Sequence, residues 1–310
     1  MTAPTVAVHG GRFGEMMLQG LRVLLPDAEL VAAGTDEAIG AEVLVALNED
    51  PAAIAHAVTP STEWVHVLAA GVDGLGLEDF RGRTLTCSRG AGAPAIAEFV
   101  LAAMLAFEKR LPESWITEPP MEWNVASLGG LEGRTVGIVG LGAIGTQVAR
   151  RAAAFDMAVV AVRRSAAPPP FEGITLSPDL PTLMRSSDHV VVAAPATPAT
   201  RHLLGEAALA QLKPRGHLVN VSRGTLVDQD ALLRALDDGR LARATLDVVD
   251  PEPLPAGHPL YRHPGVRLTP HISWSSPRTI RRTLELFADN YTRYCAGEAL
   301  LGLVDVDAGY

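Results

Sequence analysis

Three short segments of this chain end in an arginine, an acid and a histidine, each just after a strand-like run. Arg223 stands in Asn220-Val221-Ser222-Arg223-Gly224, Glu252 in Asp250-Pro251-Glu252-Pro253, and His271 in Leu268-Thr269-Pro270-His271-Ile272-Ser273. A guanidinium grips a carboxylate through forked, charge-assisted bonds. An imidazole exchanges a proton near neutral pH, and a carboxylate beside it favours the charged ring. Prolines on both sides of Glu252 stiffen its loop and fix the direction of the carboxylate. Gly224 relieves the turn after Arg223. Each residue also has a plain reading: a surface ion pair for Arg223, a loop carboxylate for Glu252 and a helix cap for His271.

A second constellation lies upstream. The apolar run Arg134-Thr135-Val136-Gly137-Ile138-Val139 stops at Gly140-Leu141-Gly142-Ala143-Ile144-Gly145, and a helical pattern follows from Thr146 to Arg150. This G-x-G-x-x-G spacing between a strand and a helix predicts a dinucleotide site. The first glycine permits the turn, the second lets backbone approach a pyrophosphate, and the third lets the helix pack on the strand. The helix N-terminus, with Ala143 and Ile144, then offers its N–H groups to phosphate. NAD readers carry an acid about 20 residues further on; here the second strand ends in Val162-Arg163-Arg164-Ser165. An arginine there would hold a 2′-phosphate by bonds of roughly 1.5–3 kcal/mol each, so the sequence predicts NADP over NAD. The bland reading of Arg163 and Arg164 is solvated charge. Pro195 and Thr200, after the strand that ends at Ala193-Ala194, join the cofactor side, as do Val221 and Ser222. Asp247, closing Ala244-Thr245-Leu246, is a candidate for the nicotinamide amide; a turn or helix cap is its competing reading.

Alternating strands and helices must carry these residues. Apolar runs predict strands at 5–8, 28–32, 43–47, 64–68 and 84–87, with helices at 14–25 and 51–57 among them. A long Ala-rich helix is predicted over 93–111. Strands follow the glycines at 157–162, 189–193, 217–221, 244–247 and 266–268, and helices at 143–155, 179–186, 206–211 and 228–237. An amphipathic helix over 277–297 comes last. Ala166-Ala167-Pro168-Pro169-Pro170 reads as a rigid loop. The alternation predicts an α/β protein with mostly parallel sheets. Two long helices flank the glycine-bearing stretch, so the chain is expected to cross between domains twice. We expect two doubly wound domains, a Rossmann cofactor domain over 94–275 inserted in a flavodoxin-like substrate-binding domain built from 1–93 and 276–310.

Composition sets the outer limits. The 310 residues suffice for two domains, and 48% hydrophobic with 20% charged residues fits a globular protein. A formal net charge of -9 speaks against nucleic acid and anionic membranes as main partners. It leaves room for an anionic substrate at a local arginine. Cys87 and Cys295 have no C-x-x-C spacing, which argues against a metal or disulfide framework and for a reducing, cytoplasmic compartment. No signal peptide is read at the N-terminus, and no uncharged apolar stretch is long enough to cross a bilayer.

Taken together, the motifs resemble those of the D-isomer-specific 2-hydroxyacid dehydrogenase family. The likeness runs through Ala70-Gly71-Val72-Asp73, Ala97-Glu98, Leu131-Glu132-Gly133-Arg134-Thr135-Val136 and the glycine triplet. It continues through Ser222-Arg223-Gly224, Leu246-Asp247-Val248, Glu252-Pro253-Leu254-Pro255, His258-Pro259-Leu260 and Pro270-His271-Ile272. The resemblance implies an oxidoreductase that transfers a hydride between NADP(H), with NAD as second choice, and a small 2-keto or 2-hydroxy acid of the glyoxylate or hydroxypyruvate type. It implies that Arg223 grips the substrate carboxylate and polarises its carbonyl, that His271 donates the proton, and that Glu252 holds the other ring nitrogen. Backbone N–H groups of Gly71 and Val72 would meet the substrate carboxylate. A homodimer through helix 93–111 and loop 112–130 is also implied.

The chain departs from the family pattern in places. Thr86-Cys87-Ser88 stands where the family often has Asn. Trp274 follows the histidine loop where relatives carry small residues, so it could wall the pocket or anchor an interface. Gly10-Gly11-Arg12-Phe13-Gly14 lacks Walker spacing and reads as a strand–helix turn. Two other functions share the scaffold: formate- or phosphite-type oxidation, which the presence of Glu252 weakens, and a cofactor-sensing binding protein of corepressor type.

Overall fold

The computed structural model describes residues 3–48, 50–165 and 167–309, so Ala166 of the proline loop lies outside the described residues. The chain divides into two compact units, one made of 1–92 with 276–310 and the other of Ala93–Ser275.

In the first unit the strands are β1 (Val6–His9), β2 (Leu30–Ala32), β3 (Val43–Ala46), β4 (Trp64–Val67) and β5 (Thr84–Cys87), all parallel, in the order β2-β1-β3-β4-β5. This is the flavodoxin-like order, with its reversal between β1 and β3. β3 and β4 are buried along their whole length; β3 is accordingly an unbroken apolar run, and β4 is interrupted only by the buried His66. Helices α1 (Gly14–Leu24) and α2 (Pro51–Ala57) join the strands; Asp50 caps α2 by accepting from the Ala52 and Ala53 amides ahead of a proline start. The C-terminal helix Pro277–Ala296 completes this unit. Its Phe287 stacks on Trp64 with ring centroids 5.4 Å apart, and its Tyr291 hydroxyl donates to the Pro4 carbonyl at 2.9 Å. Gly20 of α1 lets that helix in: a Cβ there would lie 2.7 Å from Leu284.

The second unit opens with α3 (Ala93–Glu108) and then builds β6 (Thr135–Val139), α4 (Ala143–Ala153), β7 (Ala158–Val162), β8 (Ile174–Leu176), α5 (Leu180–Ser186) and β9 (His189–Val192). It ends with α6 (Glu206–Leu209), β10 (Gly216–Asn220), α7 (Gln229–Asp237), β11 (Leu241–Leu246) and β12 (Val266–Leu268). The sheet order is β12-β11-β10-β9-β6-β7-β8, all parallel. That is the Rossmann order with one further edge strand, reversing between β6 and β9.

Three of the strands and α-helices differ from the sequence reading by three residues or more. α3 stops at Glu108 rather than 111, because Arg110 turns left-handed (φ 52°) and the Leu111 amide closes onto the Ala106 carbonyl. β8 was not anticipated; it has three residues, of which only Ile174 is buried. β11 begins at Leu241, where Arg240 and Arg243 interrupt the apolar run.

A buried polar chain crosses this sheet, starting beside the first residue of β9 and ending near the close of β11. Glu108 Oε1 lies 3.1 Å from His189 Nε2, His189 Nδ1 lies 3.2 Å from His217 Nδ1, and His217 Nε2 lies 2.9 Å from Thr245 Oγ1. Burial first, then the neighbouring His189 and Arg243, hold the His217 ring well below its ordinary pKa.

Candidate active site

Loops after β6, β7, β9, β10, β11 and β12 all leave the carboxyl edge of the second unit's sheet, where open parallel sheets take their ligands. The glycine turn sits at the reversal itself. Gly140 has φ 100°, and a Cβ on it would lie 2.6 Å from the Ala194 amide nitrogen. A Cβ on Gly145 would lie 2.1 Å from the Gly140 carbonyl oxygen. The protein itself demands those two glycines. Gly142 is different: nothing lies within 4 Å of the position its Cβ would take. It caps the start of α4, directly ahead of Ala143 and Ile144. Open space against a bare backbone at a helix N-terminus fits a phosphate group.

Arg163 directly follows β7. One guanidinium nitrogen donates to the Pro168 carbonyl at 2.9 Å, while its Nε is buried with no hydrogen-bond partner among the described residues. Arg164 and Ser165 beside it are exposed. An orphaned, buried N–H beside two exposed polar residues fits an anionic ligand group.

Other cofactor-side candidates are engaged within the chain. The Thr200 hydroxyl donates to the Pro195 carbonyl at 2.8 Å and accepts from the Thr197 amide. Ser222 Oγ donates to the Ala194 carbonyl, and Val221 points into the core. Asp247 is buried, and its carboxylate accepts from Thr269 Oγ1 (2.6 Å), the Ile272 amide (2.8 Å) and the Ser273 amide (2.9 Å). The turn-capping role is therefore physically realised at Asp247, and the loop it caps is the one that carries His271.

His271 takes a left-handed conformation (φ 55°), and its amide donates to the Asp247 carbonyl at 2.9 Å. Its Nδ1 lies 2.8 Å from Glu252 Oε2. Glu252 Oε1 accepts from the Val249 amide at 3.1 Å. Burial alone would raise the Glu252 pKa. The His271 hydrogen bond and charge, the Val249 amide and the Arg223 charge outweigh it and hold Glu252 below the ordinary glutamate value. A depressed carboxylate keeps its stabilising contribution above the ordinary glutamate pKa and loses it as pH falls through its own lower value. The pair is thus intact at neutral pH and opens only in acid.

Arg223 follows β10 and donates to the Ser222 carbonyl at 2.7 Å. Buried Asn220 builds this turn: its side-chain amide donates to the Arg223 carbonyl (2.9 Å) and its oxygen accepts from the Ser222 amide (3.1 Å). Gly224 is pressed against the next loop, where a Cβ would lie 1.9 Å from the Val249 carbonyl carbon. The trio thus stands on three adjacent strand ends, and the Arg223 charge is felt at Glu252. Trp274 donates its indole N–H to the His271 carbonyl at 2.9 Å. Gly71 and Val72 belong to the other unit, in the loop after β4; Val72 is buried there. The sequence reading missed Asn220, and it offered turn capping at Asp247 without naming the loop that is capped. The signal available was a polar residue at the last position of a buried strand.

Among the described residues, no cluster of three or more metal-ligating side chains occurs, and no helix is long and apolar enough to cross a membrane.

Known proteins resemble this chain over most of its length. The family model described as D-isomer specific 2-hydroxyacid dehydrogenase, NAD binding domain, matches residues 101–273. A glyoxylate reductase of Korarchaeum cryptofilum is 36% identical over 279 residues, 85% of this chain and 82% of that protein. A D-isomer specific 2-hydroxyacid dehydrogenase of Xanthobacter autotrophicus Py2, solved in complex with NADPH and MES, matches with TM-score 0.87 and 28% identity, covering 99% of this chain and 100% of that one. An NADPH-dependent glyoxylate/hydroxypyruvate reductase of Sinorhizobium meliloti, solved with NADP and malonate, matches with TM-score 0.77 and 28% identity, covering 99% of this chain and 98% of that one.

Proposed function

Because the chain belongs to the D-isomer-specific 2-hydroxyacid dehydrogenase family, we propose that it reduces a small 2-keto acid to the 2-hydroxy acid with NADPH, glyoxylate and hydroxypyruvate being the first substrates. The observation that carries this reading is the 2.8 Å contact between Glu252 and His271 Nδ1. A carboxylate on Nδ1 leaves Nε2 as the nitrogen that exchanges a proton with substrate. Bound nicotinamide supplies the hydride. Arg223 grips the substrate carboxylate and polarises the adjacent carbonyl; Gly71 and Val72 are proposed as backbone donors to that carboxylate on the family resemblance alone. His271 passes its Nε2 proton to the carbonyl oxygen as negative charge gathers there, and Glu252 steadies the ring. In the oxidative direction the neutral ring accepts that proton, so alkaline pH favours oxidation. Trp274 limits substrate size.

The cofactor residues in this reading are Gly140, Gly142, Ala143, Ile144 and Gly145 for the pyrophosphate, and Arg163, Arg164 and Ser165 for the 2′-phosphate. Pro195, Thr200, Val221, Ser222 and Asp247 border the remainder. A cytoplasmic setting accords with the two free thiols, Cys87 and Cys295. A homodimer is supported by the exposed Trp115, Ile116, Met121, Trp123 and Val125 between α3 and β6; a single-chain mass in sedimentation would remove it.

The test follows NADPH absorbance with glyoxylate, hydroxypyruvate and bulkier 2-keto acids. Turnover with at least one is expected. Cofactor binding without turnover on any of them sinks the reductase reading in favour of a cofactor sensor. In the same assay, Arg163→Asp should lower the NADPH-over-NADH preference by about 10- to 100-fold, the worth of one or two charge-assisted bonds. An unchanged preference would show that the clamp lies elsewhere.

A further inference from the structure

The loop that carries Glu252 has little main chain to hold it. Pro251 and Pro253 have no N–H to give. Of its amides, Val249 donates to Glu252 itself. Asp250 donates to the side chain of Gln229, at 3.1 Å, and the same side chain donates back to the Asp250 carbonyl at 2.6 Å. Only one orientation of the Gln229 amide satisfies both bonds; the flipped one sets N–H against N–H and oxygen against oxygen. The pair imitates one rung of a sheet ladder, made by a side chain where the strand has already ended.

Gln229 is well placed for this. It is the first residue of α7, whose N-cap Asp228 accepts from the Ala231 amide at 3.0 Å. Ala231, Leu232, Ala235 and Leu236 bury that helix in the core of the second unit. The remaining ties of the loop are weaker or farther from Glu252: Arg201 lies 3.6 Å from the Asp250 carboxylate across an exposed surface, and the Tyr261 hydroxyl donates to Leu254. On the other side the loop rests against Gly224.

We infer that Gln229 is a positioning residue for the reaction: by bracketing the Asp250 peptide it sets the direction from which Glu252 meets His271. This inference rests on the reductase reading for its kinetic consequence. The geometric part stands on the loop alone. Gln229 acts through the Asp250 peptide and belongs to neither the proposed substrate site nor the proposed cofactor site.

The test compares wild type with Gln229→Ala and the isosteric Gln229→Glu. In Gln229→Ala, kcat/KM should fall by about 10- to 100-fold, mostly in kcat, the usual result of misplacing a reacting group by an ångström. The acid limb of the pH profile should move to higher pH, because Glu252 loses the contacts that keep its carboxyl acidic. The Glu252 carboxyl, followed by carbon NMR, should titrate nearer the ordinary glutamate value than in wild type. Gln229→Glu keeps an acceptor for the Asp250 amide but sets a carboxylate against the Asp250 carbonyl. Its deficit should shrink as pH falls and the new carboxyl regains a proton to donate. Wild-type kcat and an unmoved acid limb in both variants overturn the inference, even if thermal stability drops. Should wild type turn over no 2-keto acid, the reductase reading fails on its own, while the NMR titration still decides whether Gln229 holds Glu252.

Discussion

Replacing His271 with asparagine should lower kcat for 2-keto acid reduction by about a thousandfold, within the range that a positioned general acid supplies. Asparagine is the informative choice because position 271 is left-handed, at φ 55°, and asparagine tolerates that region better than most residues. The hydrogen bond from the residue 271 amide to the Asp247 carbonyl and the carbonyl that receives the Trp274 indole belong to the backbone, so both survive. What is lost is a titrating nitrogen on one side and the partner of Glu252 on the other. The Glu252 carboxyl should accordingly move up toward its ordinary value, since His271 supplies the leading contributions that lower it. NADPH affinity, read by fluorescence, should be nearly unchanged. A fall in kcat of less than tenfold would mean that the proton comes from elsewhere.

A second large effect is expected at two glycines that behave in opposite ways. In Gly224→Ala the new methyl would stand 1.9 Å from the Val249 carbonyl carbon. Neither partner is a flexible side-chain tip, so the loops bearing Arg223 and Glu252 must part. A destabilisation of about 3 kcal/mol, the upper part of the usual overpacking range, is expected, together with a loss of about a hundredfold in kcat/KM. Gly142→Ala meets nothing within 4 Å, so melting should stay at the wild-type temperature while NADPH affinity drops at least tenfold. Calorimetry and cofactor titration on the two variants give the contrast. Equal melting of Gly224→Ala and wild type would contradict the packing argument, and unchanged NADPH binding by Gly142→Ala would move the phosphate away from that turn.

Much of the architecture is written locally. Residues 6–8 of β1 and the strand Val43–Ala46 are continuous apolar runs, and the glycine triplet marks its own strand and helix. β8 escaped notice because three residues with one buried side chain carry no period to read. At the site, the residue types of Arg223, Glu252 and His271 and their strand-end positions were legible. Which neighbours hold them was not. Asp247 and the 269–273 loop meet only because β11 and β12 lie side by side, and Gln229 reaches Asp250 only once α7 has packed. His189 and His217 bond because β9 and β10 pair in one particular register. Such partnerships depend on sheet order, which a local pattern does not encode. Arg163 shows the converse: its charge was readable, but not that one of its nitrogens is taken by Pro168.

The discontinuous make-up of the first unit bears on how the chain emerges from a ribosome. Residues 93–275 form a continuous stretch with its own sheet, so that unit is fully synthesised before the helix Pro277–Ala296 exists. The opening ninety-odd residues, although made first, lack until then the ring that covers Trp64, the hydroxyl that ties down Pro4, and the Val304 amide that extends the edge at Leu85. Residues 277–304 are therefore what lets the earlier-made residues 1–92 settle, and a nascent chain stalled just short of them would offer chaperones an uncovered sheet.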